Sequence, residues 1–173
     1  VGQILVQWAK HLGAVVVATA GSDAKIGIAR ELGADHVIMQ GREDIAARVR
    51  AITGGAGAHV VYDGVGKDTF AASLDCLRPL GMMVSYGNAS GPPPDINPLT
   101  LSRKGSLFLT RPTLFHYTAT VEQLDETAAD LFGVIEQGAV KIAPPTRYAL
   151  ADAAQAHRDL EARRTTGSLV LTP

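Results

Sequence analysis

Segments with helical spacing of apolar residues alternate along the chain with short, β-branched apolar runs. The first segment places apolar residues on one helical face and ends at Gly13, a typical helix stop; these residues are Ile4, Leu5, Trp8 and Leu12. Val15–Thr19 follows as a continuous apolar run, which is typical of a strand buried on both faces. The same pattern predicts helices at 22–32, 43–53, 67–77, 121–137 and 150–163, and strands at 36–38, 59–63, 81–86, 106–110 and 168–171.

This alternation favours an α/β fold, a doubly wound parallel sheet of the Rossmann type with helices on both faces. Such a sheet begins with a strand that lies at its middle, whereas this chain begins with a helix. We therefore expect a preceding segment that carries the first strand, its glycine-rich turn and a catalytic domain. The interpretation is one dinucleotide-binding domain over 1–173, truncated at its N-terminus. In it, 150–173 packs back as a C-terminal helix and strand, and Pro92 to Pro98 forms an internal loop.

Composition narrows the classes of function. Apolar residues make up 46% of the 173 residues, enough for a sizeable core. Lys plus Arg is 16 and Asp plus Glu is 17, a balance that argues against a nucleic-acid partner or a membrane-surface helix. The single cysteine, Cys76, excludes an intramolecular disulfide and fits a reducing compartment, so we predict a cytoplasmic protein. The five histidines have no ligand spacing, and we predict no metal site.

The end of the strand at Val15–Thr19 carries the most information about a ligand. Enzymes that bind NAD usually place Asp or Glu there to hold the ribose 2′-hydroxyl, but this chain has Ala20-Gly21-Ser22. The missing carboxylate permits a 2′-phosphate. Lys25 lies in the first turn of the next helix, where a cation opposes the helix dipole. Asp23 offsets part of that cost; the functional interpretation is that Lys25 and Ser22, beside Gly21, bind the 2′-phosphate of NADPH.

Several segments together resemble the cofactor domain of the medium-chain dehydrogenase/reductase superfamily. Within it, the zinc-independent, zeta-crystallin-like NADPH:quinone oxidoreductases match best. The resemblance covers essentially the whole chain and rests on the order and spacing of Val1–Lys10, Gly33–Ile38, Val61–Gly66, Ser73–Leu77, Val84–Gly91, Lys104–Pro112 and 156–167.

The resemblance implies roles for residues at both ends of a bound dinucleotide. Gly2 is the last glycine of a G-x-G-x-x-G turn, where a helix N-terminus approaches the pyrophosphate. Gln40 stands where the family often has Tyr near the 2′-phosphate. Arg163 reaches back to the cofactor by resemblance, although a cation also suits the end of its helix.

Other residues are expected near the nicotinamide half. Gly64 follows a strand end, and the family often has Ser there, so a side-chain hydrogen bond is lost. Tyr86, Gly87 and Asn88 resemble the loop beneath the nicotinamide, and Arg111 lies near the carboxamide by resemblance. A tight turn at Gly64, an ordinary turn at 86–90 and a surface arginine at 111 are the competing interpretations.

The function implied by the resemblance is NADPH-dependent reduction of quinones or related conjugated carbonyls. The nicotinamide supplies the hydride, and no residue of this chain is predicted to act as a catalytic acid or base. The 105–110 strand pairs with its copy in a homodimer and covers Leu107 and Leu109. The alternatives are an enoyl or enone reductase of the same superfamily and a non-catalytic nucleotide-fold binding protein. We expect this chain alone to bind cofactor poorly and to be inactive.

Overall fold

Helices and strands alternate along the chain as the apolar pattern predicts, beginning with a helix. The structure, a computed structural model, describes residues 1–162 and 164–173. The helices are α1 (Gly2–His11), α2 (Asp23–Glu31), α3 (Ile45–Ile52), α4 (Phe70–Asp75), α5 (Pro98–Arg103), α6 (Leu114–Tyr117), α7 (Val121–Glu136) and α8 (Ala153–Glu161). The strands are β1 (Val17–Ala20), β2 (His36–Met39), β3 (Ala58–Asp63), β4 (Leu77–Ser85), β5 (Phe108–Thr110), β6 (Thr146–Ala149) and β7 (Leu169–Thr172). A 3-10 turn at Leu150–Asp152 precedes α8.

The strands lie in three sheets among the described residues. β3, β4 and β5 form a parallel sheet in that order, β6 and β7 form a parallel pair, and β1 pairs with β2. The α/β class and the parallel pairing are therefore confirmed.

Residues 38–130 form one compact unit around the three-stranded sheet. Its apolar core joins α4 to one face of the sheet and to the segment before β5; the core residues are Phe70, Leu74, Leu77, Met83 and Leu107. Leu77 is fully buried and is the first residue of β4, where it pairs with Ala58. The predicted helix at 67–77 is wrong in extent for this reason, since its last apolar residue belongs to a strand.

Leu107 corrects part of the expectation about a dimer. Its side chain is 6% exposed and packs into the core of its own chain, so it is buried without a second copy. Leu109 packs against the same core. The apolar side chain that β5 leaves open is Phe108, which is 56% exposed.

Residues 1–37 and 131–173 form the other compact unit. Gln7 in α1 is 8% exposed, and both ends of its side-chain amide bond the backbone of Lys141. Nε2 donates to the Lys141 carbonyl at 3.1 Å, and Oε1 accepts from the Lys141 amide at 2.9 Å. Because both polar atoms are satisfied, this buried amide attaches the chain after α7 to α1 without an unpaired group.

Several boundaries differ from the sequence-based expectation. β1 begins at Val17, and Val15 is 72% exposed, so the apolar run extends beyond the strand. The loop predicted at 92–98 ends one residue early, because Asn97 caps α5 and Pro98 is its first residue. Proline is tolerated there since its missing N–H has no partner in the first turn. The short elements α5, α6 and β6 were not predicted.

Candidate functional site

The turn that follows β3 is built around the carboxylate of Asp63, which is 4% exposed. The backbone N–H groups of Val65 and Gly66 donate to Oδ1 at 2.8 and 2.9 Å. The hydroxyls of Thr69 and Ser73 donate to Oδ2 at 2.9 and 2.7 Å. Four donors thus converge on one buried carboxylate, and they fix the turn against the start of α4.

The charge of Asp63 is stabilised by these donors. Burial alone raises the pKa of the Asp63 carboxyl, but the hydrogen bonds from Gly66, Ser73, Thr69 and Val65 outweigh it and lower the pKa. The group is therefore a carboxylate at neutral pH. It holds the turn and is not available as a proton acceptor for a substrate.

The turn after β4 lies directly against the turn after β3. The amides of Tyr86 and Gly87 donate to the Asp63 carbonyl at 2.9 and 3.3 Å. A Cβ on Gly87 would overlap the carbonyl of Gly64, and one on Gly66, where φ is +88°, would overlap the carbonyl of Gly91. Packing within the chain therefore requires glycine at positions 66 and 87.

Arg111, the first residue after β5, ties the two strand ends together. Its Nη1 donates to the carbonyl of Ser85 at 2.9 Å and to that of Gly87 at 3.1 Å. Its Nη2 donates to Oδ1 of Asn88 at 3.1 Å. The structure therefore brings together five residues that the sequence singled out, Gly64, Tyr86, Gly87, Asn88 and Arg111; we call them the strand-end cluster.

The residues expected at the 2′-phosphate lie in the other unit, at the end of β1. Ala20 is the last residue of the strand, Gly21 is an exposed bend, and Ser22 is the N-cap of α2. The Ser22 hydroxyl oxygen accepts from the backbone N–H of Lys25 at 3.4 Å, and Lys25 is half-buried in the first turn. The strand end itself carries no carboxylate, and Asp23 is the first residue of the helix.

Gly2 differs from the glycines of the strand-end cluster. It is the first residue of α1, and a Cβ placed on it would meet no described atom within 4 Å. Packing among the described residues does not require glycine at this position. Gln40 lies directly after β2, and Arg163 lies outside the described residues.

Sequence reasoning missed the central role of Asp63 and of the hydroxyls of Thr69 and Ser73. The signal that identifies it is an Asp before Gly-x-Gly, followed by two hydroxyl residues four positions apart, which share a helical face.

Cys76 is buried, and its side chain is 3% exposed at the end of α4. Burial and the nearby charge of Asp75 raise the pKa of the thiol to about 11. The thiol is therefore protonated at neutral pH and is a poor nucleophile.

The parallel strands and the glycine turns at their carboxyl ends define a Rossmann-type, dinucleotide-binding class of domain. A family model described as zinc-binding dehydrogenase matches residues 1–132, and the chain belongs to this family. Among the described residues, no three or more His, Cys, Asp or Glu side chains are grouped so that they can hold a metal ion.

Individual relatives cover the chain from end to end. It is 51% identical over 173 residues to a quinone oxidoreductase of Pseudomonas aeruginosa and 45% identical to a 2-haloacrylate reductase of a Burkholderia species. A solved quinone oxidoreductase of Escherichia coli, complexed with NADPH, superimposes with a TM-score of 0.94 at 45% identity over 99% of this chain and 53% of that one. The chain spans 53% and 52% of the two curated relatives, about half of their length.

The described helices include none that is both long enough and apolar enough to cross a membrane.

Proposed function

We propose that this chain is the cofactor half of an oxidoreductase that transfers a hydride from NADPH to a quinone or a related conjugated carbonyl. The observation that carries the proposal is the end of β1, where Ala20-Gly21-Ser22 offers no carboxylate and Lys25 stands in the next helical turn. An anionic side chain there would repel a 2′-phosphate, whereas an ammonium and a hydroxyl suit one. The NADPH complex of the Escherichia coli relative supports the same cofactor.

Each part of the cofactor has proposed partners in the chain. Lys25 and Ser22, beside Gly21, would hold the 2′-phosphate, and the N-terminus of α1 at Gly2 would face the pyrophosphate. The strand-end cluster would hold the nicotinamide half, and Arg163 is a further proposed contact. When bound, the nicotinamide supplies the hydride. The chain contributes binding, orientation and exclusion of water, and we propose no acid or base among its side chains.

The experiment is a titration of the full-length protein with NADPH and NADH. Lys25→Glu should weaken NADPH binding about 10- to 100-fold and leave NADH binding nearly unchanged, because a charge-assisted phosphate contact is replaced by repulsion. Arg30→Glu, at the exposed far end of the same helix, is the matched control and should bind both as the parent does. Unchanged NADPH affinity in Lys25→Glu would contradict the phosphate assignment.

The enone-reductase alternative is favoured by one comparison, the 45% identity to a 2-haloacrylate reductase. Rates of NADPH oxidation with a benzoquinone, a 2-haloacrylate and an enoyl thioester separate the substrates. We expect the quinone to be reduced with the highest kcat/KM. Oxidation of NADPH with any of these acceptors also excludes the non-catalytic binding protein.

We further propose that the enzyme works without zinc, is cytoplasmic and is a homodimer. The division of its strands into separate sheets supports a longer protein in which a preceding segment supplies a central strand. Metal analysis of the purified protein, with activity measured in the presence of a chelator, tests whether the enzyme works without zinc. Cell fractionation tests the cytoplasmic location, and sedimentation tests the homodimer.

A further inference from the structure

Gly64 and the ring of Tyr86 compete for the same space. A Cβ on Gly64 would lie 2.7 Å from the Tyr86 hydroxyl oxygen and 2.8 Å from Cζ, closer than side-chain atoms pack. Gly64 is not among the residues with positive φ, so backbone conformation does not demand glycine there. The ring tip of Tyr86 therefore accounts for the missing side chain at position 64.

The hydroxyl of Tyr86 is a donor without an assigned acceptor. In the part of the chain that the structure describes, this hydroxyl donates no hydrogen bond, although the residue is half-buried. The hydroxyl oxygen is not among the fully buried polar atoms without a partner in the described residues, so it is accessible to an acceptor from outside the chain. Burial and the charge of Asp63 raise the pKa of Tyr86, so the hydroxyl keeps its proton at neutral pH.

We propose that the Tyr86 hydroxyl is the hydrogen-bond donor that this chain presents to the nicotinamide half of the bound dinucleotide, and that Gly64 is glycine to admit it. This inference rests on the proposed function. It revises the expectation that glycine at position 64 costs the site a hydrogen bond. The Tyr86 hydroxyl, from the neighbouring strand end, occupies the space where a serine hydroxyl at position 64 would lie. The small residue at position 64 and the large one at position 86 therefore depend on each other.

The test uses Tyr86→Phe, Gly64→Ser and the double variant in the full-length protein. Tyr86→Phe should bind NADPH about 3- to 10-fold more weakly, as expected for one neutral hydrogen bond. Gly64→Ser should weaken binding at least as much, because its Cβ displaces the ring. In the double variant Cζ of the ring still lies 2.8 Å from the new Cβ, so the ring must still move, but the hydroxyl has already lost its place and serine supplies another. The double variant should therefore bind NADPH no more weakly than Gly64→Ser. Tyr62→Phe, on the exposed face of β3, is the matched control.

A readout independent of turnover is the 13Cζ signal of labelled tyrosine, observed by NMR. The signal of Tyr86 is the one lost in Tyr86→Phe, and it should shift on saturation with NADPH while that of the exposed Tyr117 stays in place. The inference is overturned if the signal does not move, if Tyr86→Phe binds NADPH as the parent does, or if the two single losses simply add. Failure of the parent to bind NADPH overturns the proposed function as well, whereas the other outcomes leave that function intact. A loss confined to quinone turnover would place the hydroxyl on the acceptor instead and also contradict the inference.

Discussion

The Asp63 carboxylate sets the shape of the turn after β3, although it is itself buried and does not reach the surface of the site. Four hydrogen bonds converge on its carboxylate from two backbone amides and two hydroxyls. Each such bond to a charged acceptor is worth about 1.5–3 kcal/mol against an unmade one. The turn between β3 and α4 is thus held by an internal anion, and its geometry does not depend on bound cofactor.

Replacing this anion should change both stability and its pH dependence. The folded pKa of Asp63 lies below the unfolded value, so its stabilisation is fully present above the unfolded pKa near 4 and is lost as pH falls through the folded pKa. Asp63→Asn should lower the free energy of unfolding by about 1–3 kcal/mol at neutral pH. It should also reduce the loss of stability on acidification below about pH 5.

Urea unfolding across this pH range measures both effects. Asp125→Asn removes an exposed carboxylate of α7 and serves as the control, with a change of less than about 0.5 kcal/mol. An Asp63→Asn protein with the stability and the acid sensitivity of the parent would show that the converging donors contribute nothing.

Some of these residues were predictable from sequence and others were not. The N-cap role of Ser22 is local, because its partner Lys25 lies three residues away, and the sequence predicts it directly. The reason for glycine at position 64 is not local, since it is the ring of Tyr86 on the next strand of the sheet. A single sequence shows that a turn is present, but not which distant atom fills the space beside it.

At the scale of elements, the ends of β4 and β5 are joined by one guanidinium. Arg111 donates to the carbonyl of Ser85, the last residue of β4, and to the Gly87 carbonyl and the Asn88 side-chain amide in the turn that follows. A planar group with several fixed donors can satisfy all three at once, whereas an ammonium cannot match that geometry. Arg111 therefore positions the turn that carries Tyr86, and this explains its place beside the proposed nicotinamide site.

Arg111→Lys should loosen this turn while leaving the sheet intact. We expect faster amide hydrogen exchange at 87–90 and NADPH binding weakened about 3- to 10-fold, since about one hydrogen bond is lost on balance. Arg103→Lys, at the exposed end of α5, is the comparison variant and should exchange as the parent does. Equal exchange rates in the two variants would rule out a positioning role for Arg111.

The elements that sequence reasoning placed best are those with a strong local signal. α1, α2 and α7 have helical periodicity and agree closely with the predicted bounds. The end of α4 was misplaced because the buried apolar residue Leu77 fits a helical stripe and a strand equally well. β6 was missed since Thr146–Ala149 has no apolar run, and its parallel pairing with β7 becomes visible only in three dimensions.

At the scale of the whole molecule, one face of the three-stranded sheet carries an exposed apolar row. Val60, Met82 and Phe108 stand opposite one another in register and are 42%, 39% and 56% exposed. Both faces of a doubly wound sheet are normally covered. The row supports our proposal that further chain or a second copy lies against this unit.

The proposed dimer makes a prediction for the β5 edge of this sheet. Edge strands that carry lysine resist pairing with another chain, so Phe108→Lys should convert the full-length dimer into a monomer. Leu107 and Leu109 stay in the core, and the fold should survive. Leu99→Lys makes the same change at an equally exposed apolar position of α5, outside the sheet, and should leave the association state unaltered; both are measured by sedimentation velocity. A parent protein that sediments as a monomer would contradict the dimer proposal.

Because the thiol at the end of α4 is buried, the native cysteine of this chain should not react with thiol reagents, which makes site-directed labelling of an introduced cysteine possible. A cysteine introduced at exposed Ala89 would react selectively with a maleimide or nitroxide reagent at neutral pH, because Cys76 is inaccessible and protonated. A reporter there sits beside Asn88 in the turn that Arg111 clamps. The label would report movement of that turn while the coenzyme binds. Measurements of affinity or turnover do not detect this movement.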